Sequence, residues 1–338
     1  MESAQKSKLK WQIPFLLFLI IATIFIVRQQ KNMPYQHNKG MIFGTYYSIT
    51  YQSDDNLQDL IEKKLNEVDQ SLSPFNKQSI ITAINENRDP KVNEMFKDVF
   101  NLAMRISDAT DGMFDITVAP LVNEWGFGFK EGIKPTQHVI DSLLQLVGYK
   151  KVSLSYDHIK KADPRIILDC SAIAKGYGCD VIAKLMREHN VQNYMIEIGG
   201  EVVTKGVNEK RDDWRIGIQK PVDDAENDHT DLQTIIQVRD AAMATSGNYR
   251  RFYYKNGKKY AHTISPKTGY PAQQDILSAT VIASSCAMAD AYATAFMVMG
   301  KDKTIKMLEK HPELKAYLIY TDGKANKVWK SEKLKITE

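Results

Sequence analysis

Short β-rich runs outnumber helical ones along most of this chain, and that imbalance limits the folds open to it. Residues 41–51, MIFGTYYSITY, read as a first strand pair. Apolar residues at 57, 60, 61, 65, 68 and 72, and again at 95, 96, 99, 102, 103 and 106, keep helical spacing over 57–73 and 95–112. A short helix is expected over 136–147 and a strand over 151–156. The run RIILD (165–169) reads as a strand leading directly into a helix over 172–190. Strands follow at 193–198, 200–206, 214–219 and 234–238, and the last third adds one apolar helix, CAMADAYATAFMVMG (286–300). No G-x-G-x-x-G fingerprint opens a βαβ unit, so a Rossmann architecture lacks its main signal. The pattern predicts an α+β fold of mixed, mainly antiparallel sheets with packed helices.

The formal charge of +4 is unevenly spread. Lys6, Lys8, Lys10, Arg28, Lys31 and Lys39 stand against Glu2 alone in the first forty residues, which leaves the remainder at −1. No polyanion-binding surface of the kind nucleic acid needs is indicated. Cys170, Cys179 and Cys286 show neither CxxC nor Cys/His ligand spacing, and read as small buried thiols rather than a disulfide framework or a zinc site.

Residues 11–27, WQIPFLLFLIIATIFIV, carry no charge and lie between Lys10 and Arg28. IVRQQKN offers no A-x-A cleavage pattern, so the run reads as an uncleaved signal anchor, a single transmembrane helix, rather than a secretory signal. The expected order is a cytoplasmic tail (1–10), the anchor (11–27), a polar tether (28–40) and a globular domain (41–338). The basic tail puts that domain on the periplasmic side of a bacterial inner membrane.

Three segments carry residues that packing alone does not demand. In IILDCSAIAKGYGCD, Asp169 ends an apolar run, Ser171 stands at an N-cap position, and Gly176 and Gly178 let backbone approach a ligand closely. A helix start there suits a phosphate, because its N–H groups are unpaired and the helix dipole is positive at that end. A plain capping turn uses the same residue types. In AMATSGNYRRFYYKNGKKYAHTISPKTGYPAQ, polar residues crowd around Gly247, and a turn at Asn256–Gly257 returns a strand to His262. A lone strand histidine with satisfied hydrogen bonds is the plainer alternative for His262. In MADAYATA, Asp290 and Thr294 sit at i and i+4 of an apolar helix and so share a face. Hard oxygen ligands of this kind suit magnesium beside substrate phosphates. A structural partner for the Asp290 carboxylate is the other reading.

Taken in order, FGTYYSI (43–49), SLSPFNKQSIITAIN (71–85), DGMFDITVAPLVNEWGFG (111–128), DCSAIAKGYGCD, EIGGEV (197–202), TSGNYRR, HTISPKTGYPA and MADAYATA resemble the motifs of the FAD:protein FMN transferases, the ApbE family, over nearly all of residues 41–300. The resemblance implies flavin contacts from Phe43, Phe75, Met113, Phe114, Asp115, Asp169, Lys175 and Ile264. It implies magnesium ligands from Asp290, Thr294 and the backbone carbonyl of Ala172. The implied reaction moves the FMN half of FAD onto a threonine hydroxyl of an acceptor protein, forms a phosphoester and releases AMP, with Mg²⁺ as cofactor. The implied acceptors are subunits of membrane redox complexes that carry FMN on threonine. His262 is the only histidine inside these motifs, and an ordinary histidine pKa of about 6.5 suits a general base. Two alternatives use the same residues: an FAD pyrophosphatase giving FMN and AMP, and a non-catalytic extracytoplasmic flavin-binding protein.

Overall fold

The computed structural model describes residues 12–24, 33–128, 135–223, 231–249, 252–255, 258–332, 334 and 336–337. The first strand, β1 (Tyr35–Ile42), pairs with β2 (Thr45–Gln52) through a two-residue turn at Phe43 and Gly44, whose φ angles are 51° and 71°. Two positive φ values match the twist of a tight hairpin, a geometry that Asn-Gly adopts at little cost. A phenylalanine is uncommon at such an angle, and its ring lies against Gly178. Residues 35–40, expected in the tether, therefore belong to the sheet. Their polar side chains hid a strand whose pairing is made by backbone groups. The tail 1–10 and residues 28–32 lie outside the described residues.

The chain continues through α2 (Gln58–Leu72), α3 (Ile80–Asn85), α4 (Glu94–Ala109), α5 (Ala119–Glu124) and α6 (Gln137–Leu144) to a hairpin of β3 (Val152–Ser155) and β4 (His158–Lys161). Then come α7 (Ala174–Glu188), β5 (Tyr194–Ile198), β6 (Glu201–Lys205), β7 (Trp214–Gln219), β8 (Leu232–Val238), β9 (Ala241–Gly247), β10 (Phe252–Lys255) and β11 (Lys258–Ala261). The chain ends with β12 (Ile276–Ala283), α8 (Cys286–Met299), α9 (Lys301–Lys310), β13 (Lys315–Thr321), β14 (Asn326–Lys330) and β15 (Ile336–Thr337). An eight-stranded sheet runs in the order β1-β2-β5-β6-β9-β12-β13-β14, and a three-stranded sheet in the order β15-β8-β7. Among the described residues every ladder is antiparallel. The α+β expectation holds for this body.

The expected transmembrane helix does not. Residues 12–24 form a helix, α1, with its apolar side chains exposed. At about 1.5 Å per residue it reaches about 20 Å, short of a hydrocarbon core of about 30 Å. Among the described residues no helix is long and apolar enough to cross a membrane, while residues 11 and 25–27 of the expected span lie outside them.

Helix α8 is the axis of the body. Every residue in it is buried except Met288 and Thr294, which is why its sequence is apolar on all sides rather than amphipathic. Ser285 caps it, its Oγ accepting from Met288 N–H at 3.3 Å. It packs against β9, β12 and α7. The crossing with α7 needs glycine, since a Cβ on Gly176 would stand 2.4 Å from the Cys286 carbonyl oxygen. Gly178, on the same helix, makes room for the Phe43 ring, whose Cε2 a Cβ there would meet at 2.9 Å. Both glycines thus admit protein rather than ligand, contrary to expectation. The three cysteines are free and buried.

Asp180 joins the two helices from the other side. Its Oδ1 accepts from Cys286 N–H at 2.8 Å and its Oδ2 from Ala287 N–H at 2.9 Å, so a residue of α7 satisfies the open first turn of α8. Burial pushes this carboxyl up to about 6 from an ordinary 3.8, against the pull of those two N–H groups. A folded-state value above the unfolded one stabilises most below the unfolded pKa, and that stabilisation is lost as pH rises through about 6. Asp180→Ala is expected to cost about 2 kcal/mol at neutral pH, because two donors lose their acceptor. Urea unfolding checks both points. The wild-type curve should fall between about pH 4 and 6 relative to that of the variant.

Candidate active site

A cavity of about 1230 Å³ opens where α7 and α8 meet the β1–β2 turn and the segments following α4 and β11. That is larger than the roughly 300–1,000 Å³ of ordinary small-molecule sites. Phe43, Phe75, Met113, Phe114, Asp115, Asp169, Ala172, Lys175, His262, Ile264, Asp290 and Thr294 all line it.

The segment expected as strand 165–169 forms no ladder, and side chains hold it instead. Asn85 Oδ1 accepts from Leu168 N–H at 2.8 Å while its Nδ2 donates to the Leu168 carbonyl at 2.9 Å. Lys161 Nζ donates to the Ile166 carbonyl at 3.0 Å, and Asp169 N–H reaches the Ile116 carbonyl at 2.7 Å. An apolar run with β-branched residues reads as a strand, but here the backbone bonds go to the side chains of Asn85 and Lys161 and to single carbonyls such as that of Ile116 rather than to a neighbouring strand. Ser171 is not the cap of α7 either. The N-cap is Ile173, with no side-chain bond, and the Ser171 N–H is held by Asp169 Oδ1 at 2.8 Å. The start of α7 lines the cavity with Ala172, Ala174 and Lys175. Its Ala174 N–H goes to the Cys170 carbonyl and its Gly176 N–H to Asp290. What it offers an anionic group is thus the positive end of the helix dipole and the Lys175 ammonium.

Charged groups gather at that helix start. Asp290, 3% exposed, accepts from Gly176 N–H at 3.1 Å through Oδ2, and Lys175 Nζ lies 3.8 Å from the same oxygen. Lys175 also donates to Glu201 Oε1 at 3.1 Å. Burial raises both carboxyls above their ordinary values, Glu201 to about 8, although Lys175 pulls each back down. Burial alone would lower Lys175, but the carboxylates of Asp290 and Glu201 outweigh it and hold the amine charged. One turn beyond Asp290, Thr294 Oγ1 lies 3.2 Å from Ser246 Oγ on β9. Glu201 belongs to a motif already noted and Ser246 to the polar cluster around Gly247, but neither is among the expected site residues. An acid on a strand after two glycines carries no periodic signal of its own.

DGMFDITVAPLVNEWGFG acts largely as scaffold. Asp115 Oδ1 accepts from Thr117 N–H at 2.8 Å and from Thr117 Oγ1 at 2.6 Å, and its Oδ2 from Tyr149 N–H at 2.7 Å. Its carboxyl, raised by burial, is thus engaged within the protein. Fully buried Trp125 donates through Nε1 to the Gly269 carbonyl at 2.7 Å and stacks on Tyr260 at 5.5 Å and 23°. This fixes SPKTGYP, whose Pro271 bridges Ile264, the residue just before it. His262 lies between β11 and that bridge, edge-on to Phe127 with centroids 6.4 Å apart. Among the described residues no group of three His, Cys, Asp or Glu side chains stands together as a metal cluster.

A mostly antiparallel α+β body with one large cavity, apolar in much of its lining and charged at a helix start, defines a protein built to hold a sizeable anionic ligand. The sequence profile of the ApbE family matches residues 43–318. The chain belongs to that family. It is similar to the FAD:protein FMN transferase of Vibrio cholerae serotype O1, 33% identical over 317 residues that cover 90% of this chain and 94% of that one. The FAD:protein FMN transferase of Haemophilus influenzae is 36% identical over 297 residues, covering 83% and 85%. Among solved structures, the flavin transferase ApbE from Vibrio cholerae superposes with a TM-score of 0.80 at 33% identity, covering 89% of this chain and 98% of that one. The apo flavinyl transferase ApbE of Pseudomonas stutzeri gives 0.79 at 27% identity, covering 89% and 95%.

Proposed function

We infer that the chain is an FAD:protein FMN transferase, and we propose that it transfers the FMN half of FAD to a threonine hydroxyl of an acceptor protein. The observation that carries this reading is the meeting of the α7 start with Lys175, Asp290 and Thr294 inside one large cavity. A pyrophosphate needs positive potential to neutralise it, which a helix start and an ammonium supply, and a cavity for the flavin alone needs none. In the proposed step the threonine oxygen bonds to the FMN-side phosphorus. The phosphorus–oxygen bond to the AMP half breaks, its electrons leave with AMP, and the hydroxyl proton passes to His262.

The residues fit a magnesium ion. Two buried carboxyl groups, Asp290 and Glu201, share a single ammonium, and a divalent cation beside them would favour their charged forms against the burial that raises both. Asp290, Thr294 and the Ala172 carbonyl would hold it, all hard oxygen donors. Bound there, the ion supplies neutralisation of the charge that builds on the phosphate oxygens.

The proposed acceptors are subunits of membrane redox complexes that carry FMN on threonine, met at the periplasmic face of a bacterial inner membrane. Flavin fluorescence of such a subunit after denaturing electrophoresis tests the reading. With FAD and magnesium the subunit should become fluorescent. It should stay dark with a chelator or with its threonine changed to valine. Release of FMN and AMP with no labelled subunit would favour a pyrophosphatase instead.

A further inference from the structure

Glu201 is buried in a way that its protein neighbours do not account for. It opens β6 directly after the Gly199–Gly200 turn and lines the cavity, with its side chain 4% exposed. Oε1 accepts from Lys175 Nζ at 3.1 Å, but Oε2 is buried with no hydrogen-bond partner. The ammonium that serves it is shared, since Asp290 Oδ2 lies 3.8 Å from the same Nζ. Asp290 has a second donor in the Gly176 N–H, whereas the outer oxygen of Glu201 has none. A buried acceptor left unpaired costs on the order of 1–3 kcal/mol, and more when charged. Such an atom calls for a donor or an ion from outside the chain.

We propose that Glu201 is a further member of the divalent-cation site, its free Oε2 accepting from a water on the hydrated ion held by Asp290 and Thr294. This rests on the magnesium reading given above and adds a residue to it. A water-mediated contact suits the ion, because magnesium gives up its waters reluctantly and keeps several of them when bound. It also suits the placement. Glu201 reaches in from β6 beside Lys175, while Asp290 and Thr294 come from α8, so the ion is approached from two elements joined through one ammonium.

The test uses Mn²⁺ as the probe, with free Mn²⁺ read by electron paramagnetic resonance while it is titrated into the full chain with FAD present. Glu201→Gln keeps the shape and an oxygen for Lys175, but turns an NH₂ donor toward the cavity where the free acceptor was. Expected are a loss of Mn²⁺ affinity of about tenfold or more, and a metal-free thermal midpoint at or above that of wild type. Asp290→Asn should lose Mn²⁺ binding altogether. Glu201→Gln with wild-type Mn²⁺ affinity and a lowered midpoint would overturn the proposal, because Glu201 would then only hold Lys175. So would wild-type Mn²⁺ affinity with FAD affinity lost in chelator, since Oε2 would then serve a hydroxyl of the nucleotide. If Glu201→Gln does not fold, Glu201→Asp keeps the charge on a shorter arm. A several-fold loss of Mn²⁺ affinity there supports the proposal, and unchanged affinity overturns it. A wild-type protein that takes up no Mn²⁺ at all, with FAD bound, would remove the magnesium reading itself.

Discussion

Asp290→Ala abolishes FMN transfer while leaving the body folded. The carboxylate is buried in a helix whose neighbours at 287, 289, 291, 293 and 295 are already alanine, so the replacement fits the helix and its packing. Its loss frees the Gly176 N–H and leaves Lys175 to Glu201, changes confined to the cavity wall. What disappears is the charged ligand proposed for magnesium, and with it the neutralisation that the ion would supply to the FAD phosphates as AMP leaves. Transfer should fall by about 10³-fold or more, a loss of about 4 kcal/mol of transition-state stabilisation. The unfolding midpoint should stay near that of wild type. Single-turnover transfer in excess magnesium, with circular dichroism alongside, reads both. Wild-type activity in this variant would take Asp290 out of the reaction.

His262→Ala keeps FAD affinity and loses about 10²- to 10⁴-fold of the transfer rate at saturating FAD, the usual range for removal of a general base. His262 lines the cavity on a short segment held between β11 and the Ile264–Pro271 bridge, so its backbone position does not depend on the ring. Raising the pH should restore part of the variant's rate, because solvent hydroxide can take the proton instead. If the ring only supports FAD binding or packs against Phe127, the variant shows weaker FAD binding or lower stability with a rate within a few-fold of wild type.

Asp290 and Thr294 were legible because an acid and a hydroxyl one turn apart interrupt an apolar helix, a pattern that packing alone does not produce. Phe43 was expected at the site and does line the cavity, but the sequence did not show it as the tip of a hairpin, at positive φ, that α7 accommodates through Gly178. RIILD misled because local composition cannot say that Asn85, more than eighty positions earlier, would take the place of a neighbouring strand. Residues 35–40 misled in the opposite sense, since a sheet edge can be built from polar side chains when the backbone does the pairing. Trp125 stood out in the sequence as part of a specific motif, yet its indole serves the Gly269 carbonyl, fixing the turn that follows His262. Glu201 passed unassigned, because its importance comes from sharing Lys175 with Asp290, a relation between β6, α7 and α8 that exists only in the folded chain.

The claim at the centre of this account is that the pyrophosphate of FAD is opened in the α7–α8 cavity by a protein hydroxyl. Intact mass of an acceptor subunit, taken together with the AMP released in the same reaction, tests it most directly. The account predicts one added FMN mass on the acceptor, located on a threonine, with one AMP for each FMN bound. Acceptor mass unchanged while FMN and AMP accumulate together, or an adduct that retains the AMP half, would contradict it.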